Sequence, residues 1–354
     1  MTAEIRIESA RSSLPYIPAL DGVRAAAVLM VMFYHARWFF GRMPFAPIIQ
    51  CGWVGVDLFF TLSGFLITRI LMDARWKRDY FRNFYLRRAR RIWPLYFLLL
   101  GGVFFYALAT GTAGSVRWWA YVVLVQNLFV PGVGIALLRG TWSLAIEEQF
   151  YIVWPLLVRF IGGRGLVTIC VSLLAVEPIL RYFYLPSHGS LEMYVMTFTH
   201  LDGIVSGCLL ALCLSFMREQ APRLKWLLWL SIVLGGAGTL LLITRAGALR
   251  QQSVMLFSCL SLASGGVVGL CAISAFPFSR VLLLRPVRYV GRISYGLYLL
   301  HLPVFDFIGK YWGHRFPAAL QLAAEFAVTF CLAALSWHLF ERRIIFSCST
   351  PQRE

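Results

Sequence analysis

This chain predicts an all-α, polytopic membrane protein on three grounds: its apolar composition, the grouping of apolar residues into span-length blocks, and the uneven placement of positive charge between them. Of 354 residues, 59% are hydrophobic and 14% charged, with a mean hydropathy of +0.71. A soluble domain is about one-quarter charged and under half apolar. A single soluble core of this length does not hide so much apolar surface.

The blocks supply the second ground. Eleven apolar segments stand out, at 19–38, 53–72, 92–110, 118–131, 142–161, 165–184, 194–217, 225–244, 254–276, 290–311 and 317–340. Roughly 18 or more such residues cross the hydrocarbon layer as a helix. The segment 118–131 is short, contains Gln126 and Asn127, and ends in Pro131-Gly132-Val133-Gly134.

Charge placement, the third ground, decides that segment. If it does not cross and the N-terminus is inside, the inner regions hold 22 Lys and Arg and the outer regions 9. If it crosses, every later loop changes sides and the bias vanishes. The expectation is therefore about ten transmembrane helices, both termini cytoplasmic, and residues 118–140 as a re-entrant or peripheral element. Irregular backbone at membrane depth lines protein or a cavity, which makes this element a candidate site wall. The organisation expected is a cytoplasmic segment 1–18, a transmembrane domain 19–341 and a cytoplasmic tail 342–354, with no second soluble domain. Residues 1–18 contain acidic residues and no apolar core, so no cleaved signal peptide is expected.

The net charge of +17 does not indicate a nucleic-acid binder, because the 33 Lys and Arg lie between apolar spans. Cationic loops against anionic headgroups account for them. The eight cysteines form no C-x-x-C pair and sit mostly inside apolar spans, so neither a metal site nor a disulfide framework is expected.

Ionisable residues inside spans are costly and are functional candidates by default. Arg24 and His35 lie eleven residues apart on the first span. That is about three helical turns, so they share a face ~16 Å apart along the axis. A donor with an anionic part and a reactive acyl group fits such a face. The bland alternative is a snorkelling arginine and a histidine bonded to a neighbouring helix. Asp57, opening the second span, is placed to orient His35 as a carboxylate orients a catalytic imidazole, or else serves only the helix dipole. In the basic run 82–91, Arg88 and Arg91 share a helix face suited to phosphates, with lipid anchoring as the alternative. Glu147 and Glu148, Asp202 and His301 are further candidates for a cavity or acceptor site. For His200 and His338 a structural role is favoured.

Taken in order, these motifs resemble the acyltransferase-3 family of integral membrane acyltransferases over Leu20 to Glu341. Leu20-Asp21-Gly22-Val23-Arg24 followed by His35 is similar to the family's opening Arg–x10–His motif. Gly55-Val56-Asp57-Leu58-Phe59-Phe60, Arg88-Ala89-Arg90-Arg91, Trp142-Ser143-Leu144 through Tyr151, and Ile293-Ser294-Tyr295 through His301 resemble later motifs. The resemblance implies ten helices in a bacterial inner membrane. It also implies transfer of an acyl group, usually acetyl, from cytoplasmic acyl-CoA to a hydroxyl, with no bound cofactor. Acceptors in the family are mostly glycans (O-antigen, exopolysaccharide or peptidoglycan sugars) and in a minority macrolides. It assigns function to His35, Arg24, Arg88 and Arg91. Two positions depart from its pattern: Glu341-Arg342-Arg343 replaces Glu-Arg-Pro, and His200 stands where Arg often precedes Asp202. No appended extracytoplasmic hydrolase-like domain is expected. A transporter or flippase of an acylated glycan is the rival class, but no inverted repeat supports it and it does not need the arginine-rich donor mouth.

Overall fold

The computed structural model describes residues 14–346, apart from 42, 130–134, 189, 217–220, 247–253, 314 and 316. The expected terminal segments therefore fall largely outside the described residues. Among those described, ten helices have fifteen residues or more: α1 (Pro18–His35), α2 (Gly55–Ala74), α3 (Tyr80–Ala109), α4 (Trp142–Phe160), α5 (Gly163–His188), α6 (Asp202–Phe216), α7 (Ala221–Ala246), α8 (Leu256–Ala272), α9 (Ser294–Trp312) and α10 (Ala318–Ser336).

Local chemistry sets several boundaries. Pro18 opens α1, where a missing N–H costs nothing, and Asp21 sits in its first turn against the helix dipole. α3 begins twelve residues before the apolar block expected to start at 92. Arginine is a good helix former, so the basic run continues the helix beyond the apolar stretch. The block expected at 290–311 is divided: Arg285–Arg292 forms a separate short helix, and α9 follows Ile293. The block expected from 194 is shortened, because Thr197–Thr199 makes a tight turn and α6 starts only at Asp202. α10 ends in a single π-turn, Trp337–Glu341, where Ser336 Oγ donates to Glu341 Oε1 at 2.7 Å.

Five stretches are long and apolar enough to cross a membrane by length and composition: Ala46–Ala74, Tyr80–Ala109, Gly163–Tyr184, Leu224–Thr244 and Ala318–Ile345. The chain is thus a multi-pass, all-α membrane protein. α7 shows where the lipid lies, since only 11% of its apolar window is buried inside the protein. Its exposed residues include Leu230, Val233, Leu234 and Leu241. The segment expected as re-entrant or peripheral contains no crossing-length helix among its described residues. It is built of short turns at Trp118–Val122, Gln126–Phe129 and Ala136–Thr141.

α2 packs against both α6 and α1, and α9 packs against α1. Lipid provides no hydrophobic drive between helices, so close backbone approach matters. α2 and α6 cross at glycines. A Cβ on Gly64 would lie 1.9 Å from the Ile204 carbonyl oxygen, and one on Gly207 would lie 2.1 Å from that of Thr61. A buried polar brace ties α5, α6 and α8. Arg181 donates to Asp202 Oδ2 at 2.5 Å, Glu177 Oε2 at 3.3 Å and Ser258 Oγ at 2.7 Å. Arg181, one of the nine cations that the charge count assigns to the outer regions, is fully buried. Its signal was the Glu177–Arg181 i,i+4 pair in an apolar block.

Candidate active site

His35 is the last residue of α1. Its Nδ1 lies 2.9 Å from the carbonyl oxygen of Val31, one turn back. His301, buried in α9, places its Nδ1 2.6 Å from the Tyr298 carbonyl and its Nε2 3.2 Å from His35 Nδ1. A carbonyl only accepts, so in the neutral rings both Nδ1 atoms carry the proton. His301 Nε2 then turns its lone pair toward His35, and the His35 Nδ1–H is shared between that lone pair and Val31. The second lone pair of the couple, on His35 Nε2, has no hydrogen-bond partner among the described residues. His35 lines a cavity of about 1530 Å³.

That cavity is walled by the C-terminal ends of α1, α3 and α9, by the start of α2, by residues 126 and 135–140 of the short-turn segment, and by Trp142 at the start of α4. Gln126 is held there by Thr141: its Nε2 donates to the Thr141 carbonyl at 2.9 Å and to Oγ1 at 3.1 Å.

A second, narrow slot of about 120 Å³ is lined by Arg24, Arg88, Arg91, Ser63, Glu147 and Tyr151, among others. The Arg88 guanidinium lies over the Tyr151 ring, 5.4 Å from its centroid. Arg24 reaches Asp21 Oδ1 at 3.5 Å. Asp21 also accepts from the Tyr16 hydroxyl, which burial and this carboxylate push up to about 12. That hydroxyl therefore stays a donor at ordinary pH.

The two cavities occupy opposite halves of the bundle, and four helices agree on the order. Along α3, residues 88–92 face the slot and 98–110 the large cavity; along α1, Arg24 faces the slot and 31–38 the large cavity. α2 and α9 give the same division. Val56 and Tyr298 line both. The Tyr298 hydroxyl lies 3.0 Å from the Gly140 carbonyl and 2.5 Å from Ser143 Oγ. Its one proton goes to the carbonyl, so Ser143 donates to it. Tyr298 thus stands between the cavities and holds the His301 proton through its own carbonyl.

Several residues singled out by sequence lie elsewhere. Asp57 is directed not to His35 but to His200, with Oδ1 2.9 Å from Nε2 and both side chains fully buried. The turn before α6 brings His200 there, and its Nδ1 donates to the Tyr194 carbonyl at 2.6 Å. Asp202 pairs with Arg181 and lines neither cavity. Glu147 joins the arginine slot, whereas Glu148 accepts from Trp93 Nε1 at 3.1 Å. No carboxylate hydrogen-bonds His35 among the described residues; His301 stands in that position. Tyr298, Ser63 and Glu325 of α10, which lines the large cavity, were not foreseen, since hydroxyls and one acid in an apolar helix give no spacing signal.

A family model for an acyltransferase domain matches residues 17–338. The chain is 29% identical to the peptidoglycan O-acetyltransferase OatA of Listeria monocytogenes, over 94% of this chain and 56% of that protein. It is 31% identical to the putative peptidoglycan O-acetyltransferase YrhL of Bacillus subtilis, over 93% of this chain and 55% of that protein. With the O-acetyltransferase OatA of Staphylococcus aureus the identity is 28%, over 93% and 57%. The chain spans a little over half the length of these relatives. No solved structure matches.

Proposed function

The chain belongs to the acyltransferase-3 family and is an acyltransferase, and from that premise we propose that it moves an acetyl group from cytoplasmic acetyl-CoA to a hydroxyl of a cell-surface glycan. The observation that carries this reading is the pair of cavities meeting at Val56 and Tyr298, with three arginines on one side and His35 on the other. The relatives support a glycan acceptor, two of them being named for peptidoglycan. With all ten helices crossing and the N-terminus inside, the arginine slot faces the cytoplasm and the large cavity the far side.

In this mechanism Arg24, Arg88 and Arg91 bind the phosphates of the donor, for which guanidinium groups are suited. The pantetheine arm passes Tyr298 and brings the thioester to His35. The lone pair on His35 Nε2 takes the acceptor's hydroxyl proton as its oxygen attacks the thioester carbonyl. The tetrahedral adduct collapses, the C–S bond breaks, and the thiolate takes the proton back from the imidazolium. Acetyl ester and CoA thiol are the products, and no group is oxidised or reduced. His301, accepting from Nδ1, stabilises the ring through the step, the place a carboxylate fills in other catalytic histidines.

The test is transfer of label from acetyl-CoA to a glycan by purified protein in nanodiscs. His35→Ala should abolish transfer while insertion and acetyl-CoA binding persist. Wild-type transfer rates in that variant would sink the mechanism.

A further inference from the structure

Beyond His35 and the arginines, the large cavity contains two polar side chains with unsatisfied oxygens. Glu325, in the outer half of α10, is 1% exposed and lines the cavity. Its Oε1 accepts from Gln321 Nε2 at 2.8 Å, and its Oε2 has no hydrogen-bond partner. The Trp38 indole N–H, three residues beyond His35, points toward the same carboxyl but stays outside hydrogen-bonding geometry with Oε2. Gln126 is 3% exposed and lines the same cavity from the short-turn segment. Its amide cannot be reversed, because Thr141 Oγ1 already donates to Leu138 and can only accept from Nε2. Gln126 Oε1 is consequently left without a partner.

A buried oxygen that accepts nothing has lost its water without compensation. Two such atoms in the wall of one cavity therefore favour a ligand that brings hydrogen-bond donors. Both oxygens are shielded by neighbouring atoms, so meeting a ligand requires each side chain to turn, which for Gln126 exchanges its bonds to Thr141 for bonds to the acceptor. Trp38, Trp53, Trp142 and Tyr194 line the same space. Flat aromatic faces beside acceptor atoms suit a ring that is apolar on its faces and carries hydroxyls on its rim. A cationic acceptor fits less well, since Arg37, Arg139 and Lys310 also line the cavity.

We infer that Glu325 and Gln126 form an acceptor subsite, which binds non-reacting hydroxyls of a polyhydroxylated sugar while another of its hydroxyls meets His35. This rests on the acyl-transfer reading above and adds the residues that select the acceptor. In it Glu325 and Gln126 are specificity residues and take no proton from the reacting hydroxyl.

The experiment uses the full chain in nanodiscs, labelled acetyl-CoA, and two soluble probes: a β-1,4-linked tetramer of N-acetylglucosamine and its fully de-N-acetylated, amine-bearing counterpart. Glu325→Gln replaces acceptor lone pairs with an NH2 group at nearly equal volume. It should raise the KM for the N-acetylated tetramer roughly tenfold, the equivalent of one lost hydrogen bond. The KM for acetyl-CoA should stay within twofold, which also reports a folded donor side, and Glu325→Asp should recover part of the acceptor affinity. An unchanged acceptor KM overturns the proposal. So does a matching rise in the acetyl-CoA KM, wild-type preference for the amine-bearing probe, or absence of wild-type transfer to the N-acetylated tetramer. Transfer surviving in His35→Ala is a separate result, which sinks the catalytic reading and not the subsite.

Discussion

Nε2 of His301 lies 3.2 Å from Nδ1 of His35, across 266 residues of chain. The contact fixes which nitrogen of His35 is free. With Val31 it holds the Nδ1 proton, so the lone pair that faces the cavity is on Nε2. His301→Ala should therefore lower kcat by about 100-fold, the scale on which orienting a general base matters, with the acetyl-CoA KM unchanged. His301→Gln, whose amide oxygen can still accept from Nδ1–H, should recover part of the loss. Equal activity of wild type and alanine variant in the label-transfer assay would remove His301 from the site.

The arginine slot makes a donor-side prediction. Arg88→Ala and Arg91→Ala should each raise the acetyl-CoA KM by about tenfold or more, since a charge-assisted bond contributes roughly 1.5–3 kcal/mol. Arg88→Lys should rescue poorly. The guanidinium of Arg88 lies over both Tyr151 and Phe84, at 5.4 and 6.0 Å, a stacking arrangement that a lysine ammonium does not reproduce. Titrating acetyl-CoA at saturating acceptor measures this directly. A change confined to the acceptor KM would place the donor elsewhere.

Sequence patterning exposed the apolar blocks, the face shared by Arg24 and His35, and the arginine pair, because each depends on spacing within one helix. Partnerships between helices were not legible. Asp57 has the same local pattern whether it serves His35, His200 or the helix dipole, and only the turn at Thr197–Thr199 delivers His200 to it. Arg181 looked like a loop cation because Asp202, the acid that pairs with it from another helix, reaches it only after α5 and α6 pack; Glu177, one turn away on α5, was the one legible sign. Gln126 was visible as an oddity in a doubtful segment, but its unsatisfied oxygen emerges only when Thr141 occupies its amide nitrogen.

The Asp57–His200 pair predicts stability rather than chemistry. Both side chains are fully buried, and removing one partner leaves the other with an unmet polar atom. Asp57→Ala and His200→Phe, which leave no polar group on the substituted side, should each destabilise by about 1–3 kcal/mol, and the double variant should cost less than the sum, as expected for groups in contact. Thermal unfolding in detergent reads this. Strict additivity would show that the two side chains act independently. The same variants should leave the acetyl-CoA KM unaltered, because neither residue lines the arginine slot.

Val56 tests whether the two cavities form one reaction path. It is 5% exposed, sits in the first turn of α2, and shares with Tyr298 the distinction of lining both spaces. A tryptophan there adds bulk at the passage and replaces no charged or hydrogen-bonding side chain. Overpacking of this kind costs about 1–3 kcal/mol, so the variant's thermal midpoint must be followed alongside its activity. Val56→Trp should reduce acetyl transfer by about 100-fold or more, on the scale of a misplaced reactant, while labelled CoA still binds the protein within twofold of wild type. Val56→Ala, which widens the passage, should keep transfer near the wild-type rate. If Val56→Trp transfers acetyl normally, the thioester reaches His35 by another route and the boundary at Val56 and Tyr298 is not the crossing point. If CoA binding is lost together with transfer, the donor's tip already lies at Val56 in the bound complex, and the path is shorter than the two cavities suggest.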